Sequence, residues 1–328
     1  MNLMKKTMNK TVYSWGHTRP FNSYANYIQS KFGARIQKIS VHGNFTCPNR
    51  DGTKGVGGCS FCNNDAFITA YCTPERSIKQ QITEGKLFIK QRYKRVNRYF
   101  AYLQAYSNTY APLSRIQALI KEIQTFPEII GVIIGTRPDC VDNEKLDYFA
   151  ELSKQYYVVI EYGVESVYDT SLHAINRGHD FACSKNAIHA TAQRGIHVGA
   201  HMILGLPNES EQEILESARI ISELPITSLK LHQLQIVKNT KFADDFSKNP
   251  EQFSLFTAET YIPFVANYLT YISPNIMIER LAGDSPRRVR IAPNWEGVKY
   301  ETFVQKLEQY MLTHSLWQGK NIHKPIQL

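Results

Sequence analysis

Hydrophobic residues along this chain fall into two alternating rhythms. Short runs rich in β-branched and aromatic residues recur at 36–42, 99–105, 129–135, 157–163, 197–205 and 228–236. A polar or Gly/Pro-containing turn follows each run, and beyond it apolar residues recur at the spacing of one helical face. One helix opens at Ser77, a favourable N-cap, and brings Ile78, Ile82, Ile89, Tyr93 and Val96 near a common face over 78–98. Strands alternating with helices predict an α/β fold whose sheet is parallel and whose crossovers are right-handed. The runs IIGVIIG and YVVIEYG are apolar on both alternations, as strands covered on both faces require.

Six such units predict a partial (βα)6 TIM-like barrel. Residues 276–281 offer a seventh strand, and 300–313 read as a closing helix. The expected layout has three parts: an N-terminal extension at 1–30, whose Tyr13, Trp15, His17 and Tyr24 pack on the barrel, then the barrel at 31–285, then a closing segment at 286–328. In barrels of this kind the chemistry sits just beyond the C-terminal ends of the strands. Functional residues are expected there.

Composition narrows the class. The chain has 328 residues, 43% hydrophobic and 20% charged, which supports a real core and excludes disorder of the whole. No apolar run approaches the roughly 18 residues of a membrane helix. The lysines near the start have no apolar run behind them, so no secretory signal is expected and the cytoplasm is the expected compartment. The net charge of +9 is unevenly placed: residues 1–100 hold 17 Lys/Arg against 4 Asp/Glu, and the remainder holds 21 against 25. Much of the excess lies at Lys86, Lys90, Arg92, Lys94, Arg95 and Arg98. That asymmetry suggests an anionic partner such as nucleic acid, or an acidic substrate; a solvated basic face is the plain alternative.

Six cysteines are few for a disulfide framework, but three of them crowd together. Cys47, Cys59 and Cys62 follow the first strand in GNFTCPNRDGTKGVGGCSFC, spaced eleven residues and then two. Its glycines let the backbone wrap closely around a bulky object. A structural zinc site needs four protein ligands, and His42 at the strand end is one candidate for the fourth. Three thiolates on an iron–sulfur cubane would leave one iron open to substrate or cofactor. Three unrelated structural thiols are the remaining reading. Cys72, Cys140 and Cys183 are scattered.

This loop, with Phe61 just before its last cysteine, resembles the cluster loop of the radical S-adenosylmethionine (radical SAM) superfamily. The commonest spacing there is three then two. Eleven then two is similar to the branch near the Elongator catalytic subunit and the YhcC/YtqA-type proteins. The resemblance to the YhcC/YtqA-type family runs along nearly the whole chain: AYSNTYAP at 105–112, GTRPD at 135–139, EYGVES and NRGHD within 161–180, GAHMILGLP at 199–207, LHQLQIVKNT at 231–240 and GDSPRR at 283–288.

The resemblance implies a 4Fe-4S cluster on Cys47, Cys59 and Cys62 whose open iron chelates S-adenosylmethionine. One-electron cleavage would release a 5′-deoxyadenosyl radical for C–H activation, fed by a reductant such as flavodoxin or ferredoxin. Ser107, Asn108 and Thr109 stand where relatives hold Gly-Gly-Glu against the methionyl ammonium. Glu165 matches a cofactor-facing position, Arg177 an arginine that pairs with the methionyl carboxylate, and His201 a residue that contacts the ribose. His232, Gln233 and Gln235 lie toward the substrate side, with Arg280, Asp284 and Arg287 near its mouth. Kinship with the Elongator subunit and the basic first hundred residues suggest RNA, such as a tRNA base, as the substrate. A small metabolite and a protein side chain stay open, as does a non-catalytic nucleic-acid-binding protein stabilised by zinc or a cluster.

Overall fold

The computed structural model describes residues 11–64 and 68–326. The first ten residues of the expected extension lie outside them. Its strands are β1 (Gln37–Val41), β2 (Tyr99–Leu103), β3 (Ile129–Thr136), β4 (Tyr157–Glu165), β5 (His197–Leu204), β6 (Ser228–Gln233), β7 (Ile236–Val237), β8 (Met277–Arg280) and β9 (Arg290–Ala292). The helices are α1 (Tyr24–Phe32), α2 (Ile78–Arg92), α3 (Leu113–Gln124), α4 (Asn143–Ser153), α5 (Asp169–Ala174), α6 (Phe181–Gln193), α7 (Glu211–Ser222), α8 (Lys241–Lys248), α9 (Ala258–Thr270) and α10 (Tyr300–Thr313). None of the described helices is long and apolar enough to cross a membrane.

Seven strands form one parallel sheet in the order β1-β2-β3-β4-β5-β6-β8, curled into a partial barrel with helices outside. Six strands were expected, and the offered seventh, β8, joins the edge beside β6. All five residues of β2 are buried, because helices cover one face and the barrel interior the other. α2 starts as read: the Ser77 hydroxyl accepts from the Gln80 amide, and the Gln80 side chain accepts from the Ser77 amide. It ends at Arg92 rather than 98, since Tyr93 leaves the helical conformation and 93–98 turn the chain into β2. α10 spans the range read from periodicity.

Two departures matter for function. The run expected as one strand over 228–236 breaks after Gln233, and β7 turns aside to pair antiparallel with β9. The interior is also layered. At the N-terminal edges of the strands, Phe100, Ile133, Tyr157, Val159 and Met277 pack with Tyr24 and Ile28 of α1, which plugs that end with apolar side chains. Next toward the C-terminal ends comes a charged layer: Lys38, Glu161, Lys230 and Glu279. The cavity lies beyond it.

Candidate active site

A cavity of about 280 Å³ opens at the C-terminal ends of the strands, and Cys47, Cys59 and Cys62 all line it. The loop that carries them is built by its own backbone. Amides of Arg50 and Asp51 donate to the Cys47 carbonyl, the Cys62 amide to the Cys59 carbonyl, and the Gly58 amide to the Asn49 carbonyl. Side chains then brace it: Asn176 Nδ2 ties the loop to the segment after α5 by donating to the Gly58 carbonyl at 2.8 Å, and Arg50 Nη2 closes the loop on itself by donating to the Cys62 carbonyl at 2.8 Å. Two donors meet one sulfur, Arg177 Nη1 at 3.4 Å and Asn49 Nδ2 at 3.6 Å from Cys59 Sγ. Burial, and then the neighbouring Cys59, push the Cys62 thiol up to about 11. His42 does not line the cavity; its Nδ1 accepts from the Asn44 amide at 3.1 Å.

The strand ends supply the polar wall. Ser107 is buried and lines the cavity, whereas Asn108 and Thr109 do not. Asn108 Nδ2 donates to the carbonyls of Leu103 and Gly135, joining the ends of β2 and β3. Thr109 hydrogen-bonds Thr136 across the same joint at 2.6 Å. Glu165 lies in the left-handed region (φ 69°) at a bulge ending β4, and such strain in a non-glycine residue clusters at functional sites. Burial raises its carboxyl above the ordinary value, against the pull of Arg177 at 3.8 Å. Arg177 is pinned by donating Nη2 to the Gly163 carbonyl at 2.5 Å, and its Nε is buried without a partner. Asp139 does not line the cavity. Arg137 holds it with two bonds, at 2.8 and 2.9 Å, and Lys54 lies at 3.0 Å.

The cavity floor was not assembled from the sequence. Glu161 Oε2 accepts from Lys230 at 2.6 Å, from Tyr102 at 3.0 Å and pairs with His201 Nε2 at 3.0 Å; Oε1 takes Lys38 at 3.2 Å. Glu279 bridges the two lysines. Burial alone would raise the Glu161 carboxyl, but Lys230, Lys38 and His201 hold it well below the usual range. His201 therefore sits on an anchored base, stacked on His232 with ring centroids 5.6 Å apart. His232, Gln233, Gln235, Arg280 and Asp284 line the far side; Arg287 does not.

The profile of the radical SAM superfamily matches residues 47–221, and that of the Radical SAM C-terminal domain matches 226–311. The chain belongs to the radical SAM superfamily. YhcC of Escherichia coli K12 is 33% identical over 93% of this chain and 96% of its own length. YtqA of Bacillus subtilis is 29% identical over 95% and 96%. The solved structure of archaeal Methanocaldococcus infernus Elp3 shares the fold, with a TM-score of 0.64, 14% identity, and coverage of 86% of this chain and 64% of that one.

As a radical SAM enzyme, it has a [4Fe-4S] cluster and S-adenosylmethionine as its cofactors and draws on an external electron donor. The residues present fit both. N–H donors aimed at a cysteine sulfur suit a thiolate, whose charge accepts them, and such bonds tune cluster potentials. Among the described residues no three His, Cys, Asp or Glu side chains converge on a point that would hold a single ion. Three thiols that line one cavity suit a cluster, which offers a separate iron to each.

Proposed function

We propose that this radical SAM enzyme holds its cluster on Cys47, Cys59 and Cys62, binds S-adenosylmethionine along Ser107, Glu165, Arg177 and His201, and activates a C–H bond of a substrate bound on the far side of the same cavity. The observation that carries this is the arrangement of Arg177, which donates to the Cys59 sulfur while its buried Nε is left for another acceptor. Those cysteines would hold the cluster, which when bound would supply the electron for S-adenosylmethionine cleavage and with it the radical that activates the C–H bond.

The chain's own residues do the positioning. The Arg177 Nε donor suits the methionyl carboxylate, and the Glu165 carboxylate suits the ammonium. Glu161 Oε2 fixes the His201 ring through Nε2 at 3.0 Å, which leaves Nδ1 to meet a ribose hydroxyl. Asn108 and Thr109 act through the β2–β3 joint that sets Ser107 in place. A flavodoxin or ferredoxin is the electron donor we expect.

RNA is the partner that the basic α2 suggests, and the face itself supports it less than the sequence does. Lys86 pairs with Glu128, Arg92 with Glu301, and Arg98 donates to the Phe32 carbonyl at 2.6 Å. The remaining cations cluster at the C-terminal end of α2, at the plugged edge of the sheet opposite the cysteine loop. RNA held there is a partner bound away from the cavity, and the cavity's occupant is a separate question.

Anaerobic reconstitution tests the main reading. Wild type and the Cys72→Ala, Cys140→Ala and Cys183→Ala variants should take up about four irons per chain and form 5′-deoxyadenosine when reduced. Cys47→Ala, Cys59→Ala and Cys62→Ala should do neither. Full iron uptake by any of the second set would defeat the ligand assignment.

A further inference from the structure

Resting on the radical SAM reading of this cavity, we propose that its substrate is a small carboxylic acid, with the carboxylate held by Arg280 at the mouth and contacted by His232 beneath. Arg280 is exposed at the end of β8, lines the cavity, and enters no ion pair among the described residues. His232 lies two residues beyond Lys230 on β6 and lines the same cavity. Its Nε2 is buried and has no hydrogen-bond partner, a costly state that a ligand oxygen would relieve. Burial, and then the charges of Arg280, His201 and Lys230, hold the ring well below the ordinary histidine value, so it is neutral and offers a single N–H.

The neighbouring amides are committed elsewhere. Gln233 exchanges hydrogen bonds with both the amide and the carbonyl of Gly283, at 2.7 and 3.2 Å. Gln235 donates to the Gly283 carbonyl at 3.3 Å and accepts from the Ser285 amide at 3.1 Å. These bonds fix Asp284, which also lines the cavity, between them. Its carboxylate disfavours a doubly charged phosphate on this rim, whereas the planar fork of Arg280 matches a singly charged carboxylate. S-adenosylmethionine has to share this cavity, and the Glu161–Lys230 layer closes it below, so the acid is small.

Thermal unfolding of the reconstituted holoprotein with S-adenosylmethionine tests this. The probes are carboxylates from acetate to octanoate and the proteinogenic amino acids, each beside its primary amide, together with inorganic phosphate. At least one acid should raise the midpoint by a few degrees, while its amide and phosphate do not. Arg280→Ala should weaken that acid's binding roughly tenfold or more, Arg280→Lys should keep part of it, and Asp284→Asn should admit phosphate. Equal shifts by acid and amide, no shift by any acid, or full binding by both Arg280→Ala and Arg280→Gln would overturn the proposal. Acid binding without 5′-deoxyadenosine formation would count against the radical reading and leave the carboxylate site standing. The converse would count against the carboxylate site alone.

Discussion

Arg177 joins two walls of the cavity through one guanidinium: Nη1 donates to the Cys59 sulfur at 3.4 Å and Nη2 to the Gly163 carbonyl at 2.5 Å. A fixed cation beside a thiolate stabilises the more reduced, more negative state of whatever that sulfur binds. Arg177→Ala should therefore leave the iron count intact, shift the cluster potential to more negative values, and weaken S-adenosylmethionine binding about tenfold or more. Arg177→Lys should fall between the two. Redox titration followed by electron paramagnetic resonance reads the first effect and equilibrium binding the second; an unchanged potential in Arg177→Ala would remove the assigned role.

Gly163 is the residue that leaves room for this arrangement. A Cβ there would lie 2.4 Å from Glu165 Oε1 and 2.7 Å from Arg177 Nη2. Both are the far ends of long side chains and can move, so stability should fall only by about 1 kcal/mol in Gly163→Ala. Function should suffer more, because the Glu165 carboxylate is itself assigned to the cofactor and shifting Arg177 Nη2 moves the Nε assigned beside it. The variant should bind S-adenosylmethionine as poorly as Arg177→Ala does while keeping its iron. Wild-type affinity would show that the pair does not need its present position.

The fold was legible because strands covered on both faces carry unbroken apolar runs, and α10 could be bounded to the residue from its period. The cavity floor was legible only in fragments. Lys38 and Lys230 are the only Lys or Arg residues in β1 and β6, a signal of buried pairing, but their partners come from β4 and β8. Only the curl of the sheet brings those strands face to face. Asn49 and Arg50 sit in an aperiodic Gly-rich loop where spacing says nothing about side-chain direction. Asn108 and Thr109 went the other way: they lie beside Ser107 in sequence, yet their hydrogen bonds turn them into the β2–β3 joint.

Glu161 and Lys230 give a stability prediction. Their side chains are only 1% and 5% exposed and lie 2.6 Å apart. Removing one member of a buried pair strands the other charge, which typically costs roughly 3–5 kcal/mol. Lys38 and His201 still face Glu161, so Lys230→Met should fall near the lower end of that range. Lys230→Met combined with Glu161→Gln should recover part of the loss. Denaturant unfolding of the single and double variants checks the coupling, and strictly additive losses would mean that the charges do not depend on one another.

Asp139 gives a pH dependence. Burial would raise its carboxyl, but the two bonds from Arg137, aided by Lys54, hold it at about 2, below the ordinary 3.8. A depressed carboxyl contributes stability that is fully present above the unfolded value and lost as pH falls toward the folded one. The loss from this group should therefore begin near pH 3.8 and run to about 2. Asp139→Asn should be less stable at neutral pH and flatter across that window. Parallel stability curves for wild type and variant down to pH 2 would place the acid sensitivity elsewhere, with Glu161 the next carboxylate to test.

The basic face of α2 makes the last prediction, because the structure bounds how strongly it can bind a polyanion. Lys86, Arg92 and Arg98 are engaged by Glu128, Glu301 and the Phe32 carbonyl, which leaves Lys90, Lys94 and Arg95 of the six cations first read there. Each phosphate neutralised steepens the salt dependence by about 0.9 in the logarithm, so three contacts limit the loss to roughly fortyfold between about 50 and 200 mM salt. Titrating bulk tRNA should give a slope no steeper than that, and reversing Lys90, Lys94 and Arg95 to Glu should abolish binding. α2 runs 15 residues, about 22 Å, from its start near the cavity edge to this face, so bound tRNA should leave substrate-free 5′-deoxyadenosine formation unchanged. A steeper slope that survives the charge reversals would put RNA on another surface. Arg287, Arg288 and Arg290, at and just before the start of β9, would then be the cations to reverse next.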